Sequence, residues 1–580
     1  MTLYLDIETN TQHSHIWMCW TFDDSTGLYE CHTKPETLAP LINKADKVVA
    51  HNLIGFDGPV LNRLWKTKLS LKNSTDTLVM SRLANPDIPG GHSLEAWGER
   101  LGGKKKSDYQ RLYWRLQGVR EFDRKDIQHW NSPNIPLMSA YCKRDVELLV
   151  EVHRHLEKLL NGWETEVVNA TGDHSCVELE HAVAGIVKRQ EQRGFEFDER
   201  KATELLAALS SEVADLESEL QSTFPPIVTE RWSEKTGKQL KDSVEVFNPG
   251  SRPQIAKRLA GLGVKFEKMT EKGAVVVNEE VLKGIEVPEA RLIARYLMLQ
   301  KRISQVSSWF DVVQKDGRVH GKVITNGAVT GRMTHNSPNM AQIPNAGSEF
   351  GPECRECWRA AKGYKLVGAD ASGLELRMLA HYMGSERYVK TVVEGSSKDG
   401  TDVHTINQKA AGLSTRDQAK TFIYAFLYGA GPKKIGSIVG GDASVGKKLT
   451  AKFLRATPAL QRLRDKVERQ ATKGFVPGLD GRKIWVRSEH AALNSLLQGA
   501  GAVVMKKALE ILDKKIRCAT IDAHFVANVH DEWQIEVEPG KAEEVGEMAV
   551  QSIKEAGEYF NLRCPLSGEY SVGNTWRDTH

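Results

Sequence analysis

Two short apolar runs, remote from each other in the chain, both stop at carboxylates, and this pairing restricts the possible folds more than any other feature. In "FVANVHDEWQIEVE", Phe525 to Glu538, the residues Trp533, Ile535 and Val537 alternate with polar neighbours as in a half-buried strand. A second apolar-rich run, Phe525 to Val529, precedes it, so His530-Asp531-Glu532 predicts a β-hairpin with acids at its tip. In "YKLVGADASGLELRMLAHYM", the run "KLVGAD" reads as a strand ending on Asp370 and "GLELRMLAHYM" as a helix. Asp370 is therefore expected where strand meets helix, exposed at the sheet's edge. Taken singly, Asp370 is an ordinary helix N-cap and Asp531-Glu532 a solvated hairpin tip. If the hairpin lies beside the first strand, Asp370, Asp531 and Glu532 converge, and clustered carboxylates repel unless protons or cations neutralise them. Mg²⁺ suits such a site, since it takes one or two carboxylates and fills its shell with water and substrate phosphates. Two such ions about 3.5–4 Å apart stabilise both the attacking and the leaving oxygen of a phosphoryl transfer.

Bulk properties narrow the class only broadly. A chain of 580 residues corresponds to roughly three to five domains. Its 27% charged and 40% hydrophobic residues describe an ordinary soluble protein. The net charge of +4 and the pI of 8.4 stay below the value of about 9 that flags nucleic-acid binding by itself. Eight cysteines are too sparse for a disulfide scaffold, which favours a reducing compartment. Cys354-Arg-Glu-Cys357 has no second pair to complete a zinc site, so two plain thiols are expected there. No apolar run approaches the ~20 residues of a membrane span. Strand-like "LYLDIE" begins at Leu3, which leaves no room for a leader and points to the cytoplasm.

Along the chain, the first ~150 residues alternate short strand-like and helical stretches, a pattern of mixed or parallel α/β sheets. From Glu178 to Gln221 the pattern is helical, with Leu206, Leu209, Val213, Leu216 and Leu220 in one apolar stripe. "STFPPIVTERWSEKTGKQLKDSVEVFNPGSRP" reads as a loop, and helix resumes to about Trp309. Beyond His320, strands, helices and glycine-rich turns mix. Between the two acidic motifs, "RDQAKTFIYAFLYGAG" carries Arg416, Lys420 and Tyr424 at four-residue spacing, one stripe of a helix. Cations there suit a triphosphate and a ring suits a base, although an exposed basic face is a common alternative.

"DASGLELR", "RDQAKTFIYAFLYG" and "VHDE" resemble motifs A, B and C of family A DNA polymerases, and "TGRMTHNSPNMAQIP" and "GLDGRKIWVRS…LNSLLQGAGA" match further stretches of that family. The likeness runs in order along nearly the whole chain and is strongest to phage replicative members. It implies a multidomain α/β and α+β fold: a ribonuclease H-like exonuclease domain at 1–165, linker and thumb at 166–320, palm at 321–400, fingers at 401–485 and the rest of the palm at 486–580. It implies that Asp370 and Asp531 bind two Mg²⁺ ions, Mn²⁺ substituting, with Glu532 as supporting acid. Arg416, Lys420 and His404 would hold the dNTP triphosphate and Tyr424 would pack at the nascent base pair. Arg332, Gln498 and His530 would contact the primer-template. Glu375 would be the steric gate against a 2′-hydroxyl, and Tyr424, where other members have Phe, implies ready acceptance of dideoxynucleotides.

A second acidic set lies at the front. Asp6 and Glu8 are two apart on a strand and face the same way, Asp57 follows the run "VVAHNLIGF", and Tyr141 and Asp145 are four apart on a helix. Each alone is weak, but the five in order resemble the DEDDy class of 3′–5′ exonucleases. The resemblance implies two metals on Asp6, Glu8, Asp57 and Asp145, with Tyr141 orienting the attacking water.

Some phage members carry a thumb insertion that clamps thioredoxin. The corresponding link here, Thr236 to Pro253, is too short for one, so no thioredoxin partnership through the thumb is expected. Expected partners are primer-template DNA and dNTPs, with a helicase-primase and a single-stranded DNA-binding protein as further candidates. The chain is expected to be a monomer, free of membrane, in the host cytoplasm if phage-encoded. Gly441 to Lys447 has Walker A spacing, but Lys448 stands where a hydroxyl would hold Mg²⁺, which favours a plain helix-turn. Lys104-Lys105-Lys106 reads as a solvated loop. The competing functions are a single-subunit RNA polymerase, opposed by Glu375 and the front acids, a host repair polymerase, and a DNA-binding scaffold with dead sites, opposed by the intact acids.

Overall fold

Leu3, Tyr4, Leu5 and Ile7 are all buried, so the strand Thr2–Thr9 has cover on both faces and takes a central place in its sheet. The computed structural model describes residues 1–102, 108–166, 176–266, 268–270 and 272–580, without the side chains of 162 and 164–166; Lys104-Lys105-Lys106 lies outside the described residues. The front sheet has five strands in the order Leu28–His32, Ile16–Asp23, Thr2–Thr9, Lys47–Ala50, Ser74–Asp76. The first three are antiparallel and the last two join in parallel, giving a mixed sheet. The long helix Ile135–Glu166 packs across Thr2–Thr9 and Ile16–Asp23.

The helix Cys176–Arg193 leads into the rest of the molecule. It is followed by Glu199–Thr223, whose buried stripe is Ala202, Leu205, Leu209, Val213, Leu216 and Leu220, and by Pro288–Phe310, which packs against it. The stretch read as a loop instead contains a hairpin, Ile227–Trp232 with Gln239–Glu245, turning through Gly237 at φ +62°. Its polar composition reflects exposure of nearly every residue rather than absence of pairing.

The second sheet is antiparallel in the order Ala523–Val529, Glu532–Val537, Lys365–Ala371, Gly568–Gly573. Helix Ala542–Tyr559 covers one side and Cys176–Arg193 packs on Ala523–Val529. Glu532–Val537 is therefore buried throughout rather than half-buried. Fully buried Glu536 is matched by Arg193 Nε at 2.8 Å, Arg318 NH2 at 2.6 Å and the Ala361 N–H at 2.9 Å, partners remote in the chain. Asp370 ends an inner strand, not an edge strand, and Gly373 rather than Asp370 caps the following helix Leu374–Met383.

Side-chain contacts tie the front layer to the carboxy-terminal body. Trp485 Nε1 donates to the Ala84 carbonyl at 2.8 Å, Arg487 pairs with Asp87 at 2.6 Å, and Lys483 lies over the Trp163 ring at 5.9 Å. Cys354 and Cys357 are buried free thiols, and Asp442 caps the helix Ala443–Ala456 over the Walker-like stretch. Among the described residues no helix is long and apolar enough to cross a membrane.

Candidate active sites

The two-residue turn His530-Asp531 joins Ala523–Val529 to Glu532–Val537, with His530 in the left-handed region at φ +58°. The turn sits beside the end of Lys365–Ala371, and the Ala371 N–H donates to the Asp531 carbonyl at 3.0 Å. In the ladder Asp370 stands opposite Glu532 on one side and Glu569 on the other, a row of like charges that disfavours itself. Asp370 stays open to solvent, yet its carboxyl is raised above the ordinary range, first by partial burial and then by the charges of Asp531, Glu569 and Glu532. Burial likewise raises Asp531, with Arg332 and His530 opposing. Two neighbouring acids whose carboxyls are both raised above the ordinary range, Asp370 partly by the charge of Asp531, are a donor set fit for divalent cations.

Glu532 behaves differently. Its carboxylate accepts from Gln534 Nε2 at 2.7 Å and from Trp576 Nε1, pairs with His580 Nδ1 at 3.2 Å, and has Arg355 NH1 at 3.6 Å. Burial opposes its charge, but His580 and Arg355 hold it below the ordinary range. The structure thus brings Asp370 and Asp531 together at an open rim, whereas Glu532 lies beside them already engaged.

Thr415 and Gln418 form a capping box that starts the helix Arg416–Leu427, which carries Arg416, Lys420 and Tyr424. Arg416 donates through Nε and NH2 to Asp402 Oδ1 at 3.0 and 2.9 Å. Asp402 also caps the helix Val403–Ala411. Burial alone would raise Asp402, but Arg416, Thr405 and the His404 N–H bring it down to about 2. His404 follows that cap, its Nδ1 is buried without a hydrogen-bond partner, and burial plus Arg416 lowers its pKa. Its ring lies 6.2 Å from that of Tyr424.

Glu375, in the first turn of Leu374–Met383, is held from two sides. Arg332 NH2 donates at 3.0 Å, and the Tyr428 hydroxyl lies 2.8 and 2.7 Å from the two carboxylate oxygens. Tyr428 stacks on Tyr424 with centroids 6.4 Å apart. Sequence reasoning missed Tyr428, although it is the next step of the 416, 420, 424 stripe. A buried charge cluster lies next to the turn that precedes Arg332: Lys506 Nζ meets Glu180 Oε1 at 2.7 Å and Asn326 Oδ1 at 2.8 Å, and Arg482 meets Glu180 at 2.7 Å and Asp480 at 2.6 Å. Gly331, next to Arg332, has φ +76° and passes so close that a Cβ would lie 3.2 Å from Arg482 NH1. Gln498 is half-buried on the helix Ala492–Cys518.

In the front sheet Asp6 and Glu8 share a face of Thr2–Thr9, and Asp57 closes the turn Leu53–Asp57. Asp57 is buried, and its carboxyl is raised well above the ordinary range by burial, then by Asp6 and Asp76. Tyr141 and the buried Asp145 sit on Ile135–Glu166, with the Tyr141 ring 5.6 Å from that of Tyr109. Cys142, also missed from sequence, places Sγ 3.5 Å from Asp6 Oδ2, and donor atoms of Asp6, Glu8 and Cys142 all lie within 4.8 Å of one another. A carboxyl raised by burial and by the neighbouring charge of Asp6, beside the clustered donors of Asp6 and Glu8, again forms a donor set that fits hard cations.

Residues 226–578 match the family described as DNA polymerase family A. The chain is 35% identical to the DNA-directed DNA polymerase of Enterobacteria phage T3 and 35% identical to that of Escherichia phage T7, each alignment covering 94% of both chains. A solved structure titled as the POL domain of Pol1 from M. smegmatis, in complex with DNA primer-template and dNTP, shares the fold with a TM-score of 0.77. That superposition covers 99% of this chain and 95% of the other at 17% identity. With its paired acids at the rim of an antiparallel sheet and a match spanning well over half its length, the chain belongs to DNA polymerase family A.

Proposed function

We propose that this DNA-directed DNA polymerase extends primers at the Asp370–Asp531 rim and removes mispaired 3′ termini at the front site, as a phage replicative enzyme. The observation that carries the reading is the meeting of Asp370 and Asp531, from remote motifs, at one solvent-open rim where the charge of Asp531 helps raise the Asp370 carboxyl. Two Mg²⁺ ions at each site, with Mn²⁺ as substitute, would supply charge neutralisation for the attacking and leaving oxygens. Asp370 and Asp531 hold them at the first site, and Asp6, Glu8, Asp57 and Asp145 at the second. Arg416, Lys420 and His404 bind and orient the triphosphate, and Tyr424 packs under the nascent base pair. Arg332, Gln498 and His530 align the primer terminus and template. Glu532 acts from behind, keeping its charge through His580 and Arg355. Catalysis then rests on positioning and fixed electrostatics. At the front, Tyr141 orients the attacking water.

Glu375 is hydrogen-bonded by both Arg332 and Tyr428, which would hold it in place against a 2′-hydroxyl and supports DNA over RNA synthesis. We divide the chain accordingly into exonuclease (1–165), linker and thumb (166–320), palm (321–400 and 486–580) and fingers (401–485). The short hairpin at the thumb supports function without a thioredoxin clamp there. Action as a monomer in the host cytoplasm, alongside a helicase-primase and a single-stranded DNA-binding protein, follows from the same reading.

A labelled primer-template incubated with and without dNTPs and Mg²⁺ tests both halves. Wild type should extend with dNTPs and degrade without them. Asp370→Asn should lose extension by at least about 100-fold while still degrading. Asp6→Ala with Glu8→Ala should do the reverse. Loss of both activities in either variant would contradict separate sites.

A further inference from the structure

Asp76 does more than a helix cap requires. It ends the strand Ser74–Asp76 and caps the helix Thr77–Ala84, its Oδ1 accepting from the Leu78 N–H at 2.9 Å. A capping oxygen ordinarily serves its own helix. This carboxylate also takes two N–H groups from a remote segment, Asn52 on Oδ1 at 2.9 Å and Ile54 on Oδ2 at 3.0 Å. Those amides stand at the start of the turn Leu53–Asp57, which closes with a bond from the Gly58 N–H to the Leu53 carbonyl and ends on the buried Asp57. Asn52 has φ +71°, a left-handed conformation that persists where surrounding bonds impose it. Beside it, Thr77 Oγ1 lies 2.9 Å from His51 Nδ1. Asp76 is only 1% exposed, so an amide that lost this partner would be left unsatisfied.

The cap is itself held from outside the front layer. Its backbone N–H donates to His181 Nε2 at 2.7 Å, and His181 Nδ1 lies 2.7 Å from the Val177 carbonyl. An amide N–H only donates and a carbonyl only accepts, so the ring carries its proton on Nδ1 and offers Nε2 as acceptor. His181 belongs to Cys176–Arg193, the same helix as buried Glu180, which Lys506 and Arg482 bind at 2.7 Å each. That helix also sends Arg193 to Glu536 in the second sheet. Contacts thus run from the carboxy-terminal body, through one imidazole and one carboxylate, to the turn that bears Asp57.

We propose that Asp76 and His181 are positioning residues for the front site, a two-link clamp through which the carboxy-terminal body fixes the turn Leu53–Asp57. Neither touches the reacting atoms; together they set where Asp57 stands. The consequence for degradation rests on the exonuclease reading above, whereas the clamp itself does not.

Two measurements on the full-length chain test it. Hydrogen–deuterium exchange of the peptide over 51–58 reads the clamp without any DNA. Protection there should be lost in Asp76→Asn, which keeps the size but turns an NH₂ toward one of the two donors. It should be reduced in His181→Leu and restored in His181→Gln, whose Oε1 accepts from the Asp76 N–H. Degradation of a labelled single strand reads the consequence. Asp76→Asn should lower kcat by about 100-fold, the cost of a misplacement of ~1 Å, with KM for the strand unchanged. His181→Leu should lower kcat by about 3–10-fold, the worth of one hydrogen bond, and His181→Gln should recover it. Primer extension by all three should match wild type. Thermal melting checks folding, and if Asp76→Asn unfolds the front layer the two His181 variants carry the test. Unchanged exchange in His181→Leu, failure of His181→Gln to restore what His181→Leu loses, or an equal fall in extension would each overturn the clamp. A wild type that degrades no DNA, with exchange still following the two residues, would uphold the clamp and sink the exonuclease reading. Degradation with exchange and kcat indifferent to both residues would do the reverse.

Discussion

Replacing Lys506 by Met should destabilise the carboxy-terminal body strongly, and a second substitution should restore part of the loss. Lys506, Arg482, Glu180 and Asp480 have side chains exposed by only 2, 3, 0 and 5%. Two cations balance two anions, with Asn326 accepting from Lys506. Met keeps the apolar stem of Lys506 but leaves Glu180 sharing Arg482 with Asp480, a net buried negative charge. Breaking a buried pair in this way costs about 3–5 kcal/mol. Adding Glu180→Gln returns the cluster to neutrality, with an amide still able to face Arg482 and Asn326. The double variant should therefore recover about 2 kcal/mol over Lys506→Met, a coupling within the range for residues in one network. Urea titration followed by tryptophan fluorescence reads this as an order of midpoints: wild type, then the double variant, then Lys506→Met. Midpoints are the safe readout because a chain of this size does not unfold in two states. If Glu180→Gln lowered the midpoint of Lys506→Met further, or Lys506→Met melted like wild type, the electrostatic account of this cluster would be refuted.

Other outcomes follow from the same geometry. Glu375→Ala should raise ribonucleotide incorporation, and Tyr428→Phe should do so by about 5–15-fold, since a hydrogen bond to a carboxylate contributes about 1.5–3 kcal/mol before discounting for Tyr428's partial exposure; competition between dNTP and rNTP in single-nucleotide extension measures both. Asp402 is held at about 2, below its unfolded value of about 3.9, so its contribution to stability is complete above pH 4 and fades as the pH falls toward 2. Acid titration of wild type and Arg416→Ala should show that loss shifted to higher pH in the variant. Adding thioredoxin should leave the length of product per binding event unchanged, and a large gain would overturn the reading of the thumb.

The legible parts of the site were those written in local sequence. Asp370 and Asp531 each end an apolar run, and Arg416, Lys420 and Tyr424 repeat every four residues, so strand and helix periods alone put them at rims and on one stripe. Tyr428 repeats that spacing but closes the helix, where periodicity fades. Glu536 reads as a solvent-facing position of an alternating strand and Glu532 as an acid at a hairpin tip, because their partners, Arg193, Arg318 and Arg355, lie far away in the chain. The hairpin over 227–245 hid for the opposite reason: with almost nothing buried, it has no apolar face to announce its period. Cys142 needed the third dimension, since only the crossing of a helix over a strand brings its sulfur to Asp6.

The contacts of Trp485, Arg487 and Lys483 with Ala84, Asp87 and Trp163 bear on how the proposed nuclease should be removed. Cutting away the front of the chain would strand an indole N–H, a guanidinium and an ammonium that now rest on it. A shortened enzyme would carry a sticky scar there, whereas two substitutions at Asp6 and Glu8 would silence the proposed nuclease and leave that seam closed.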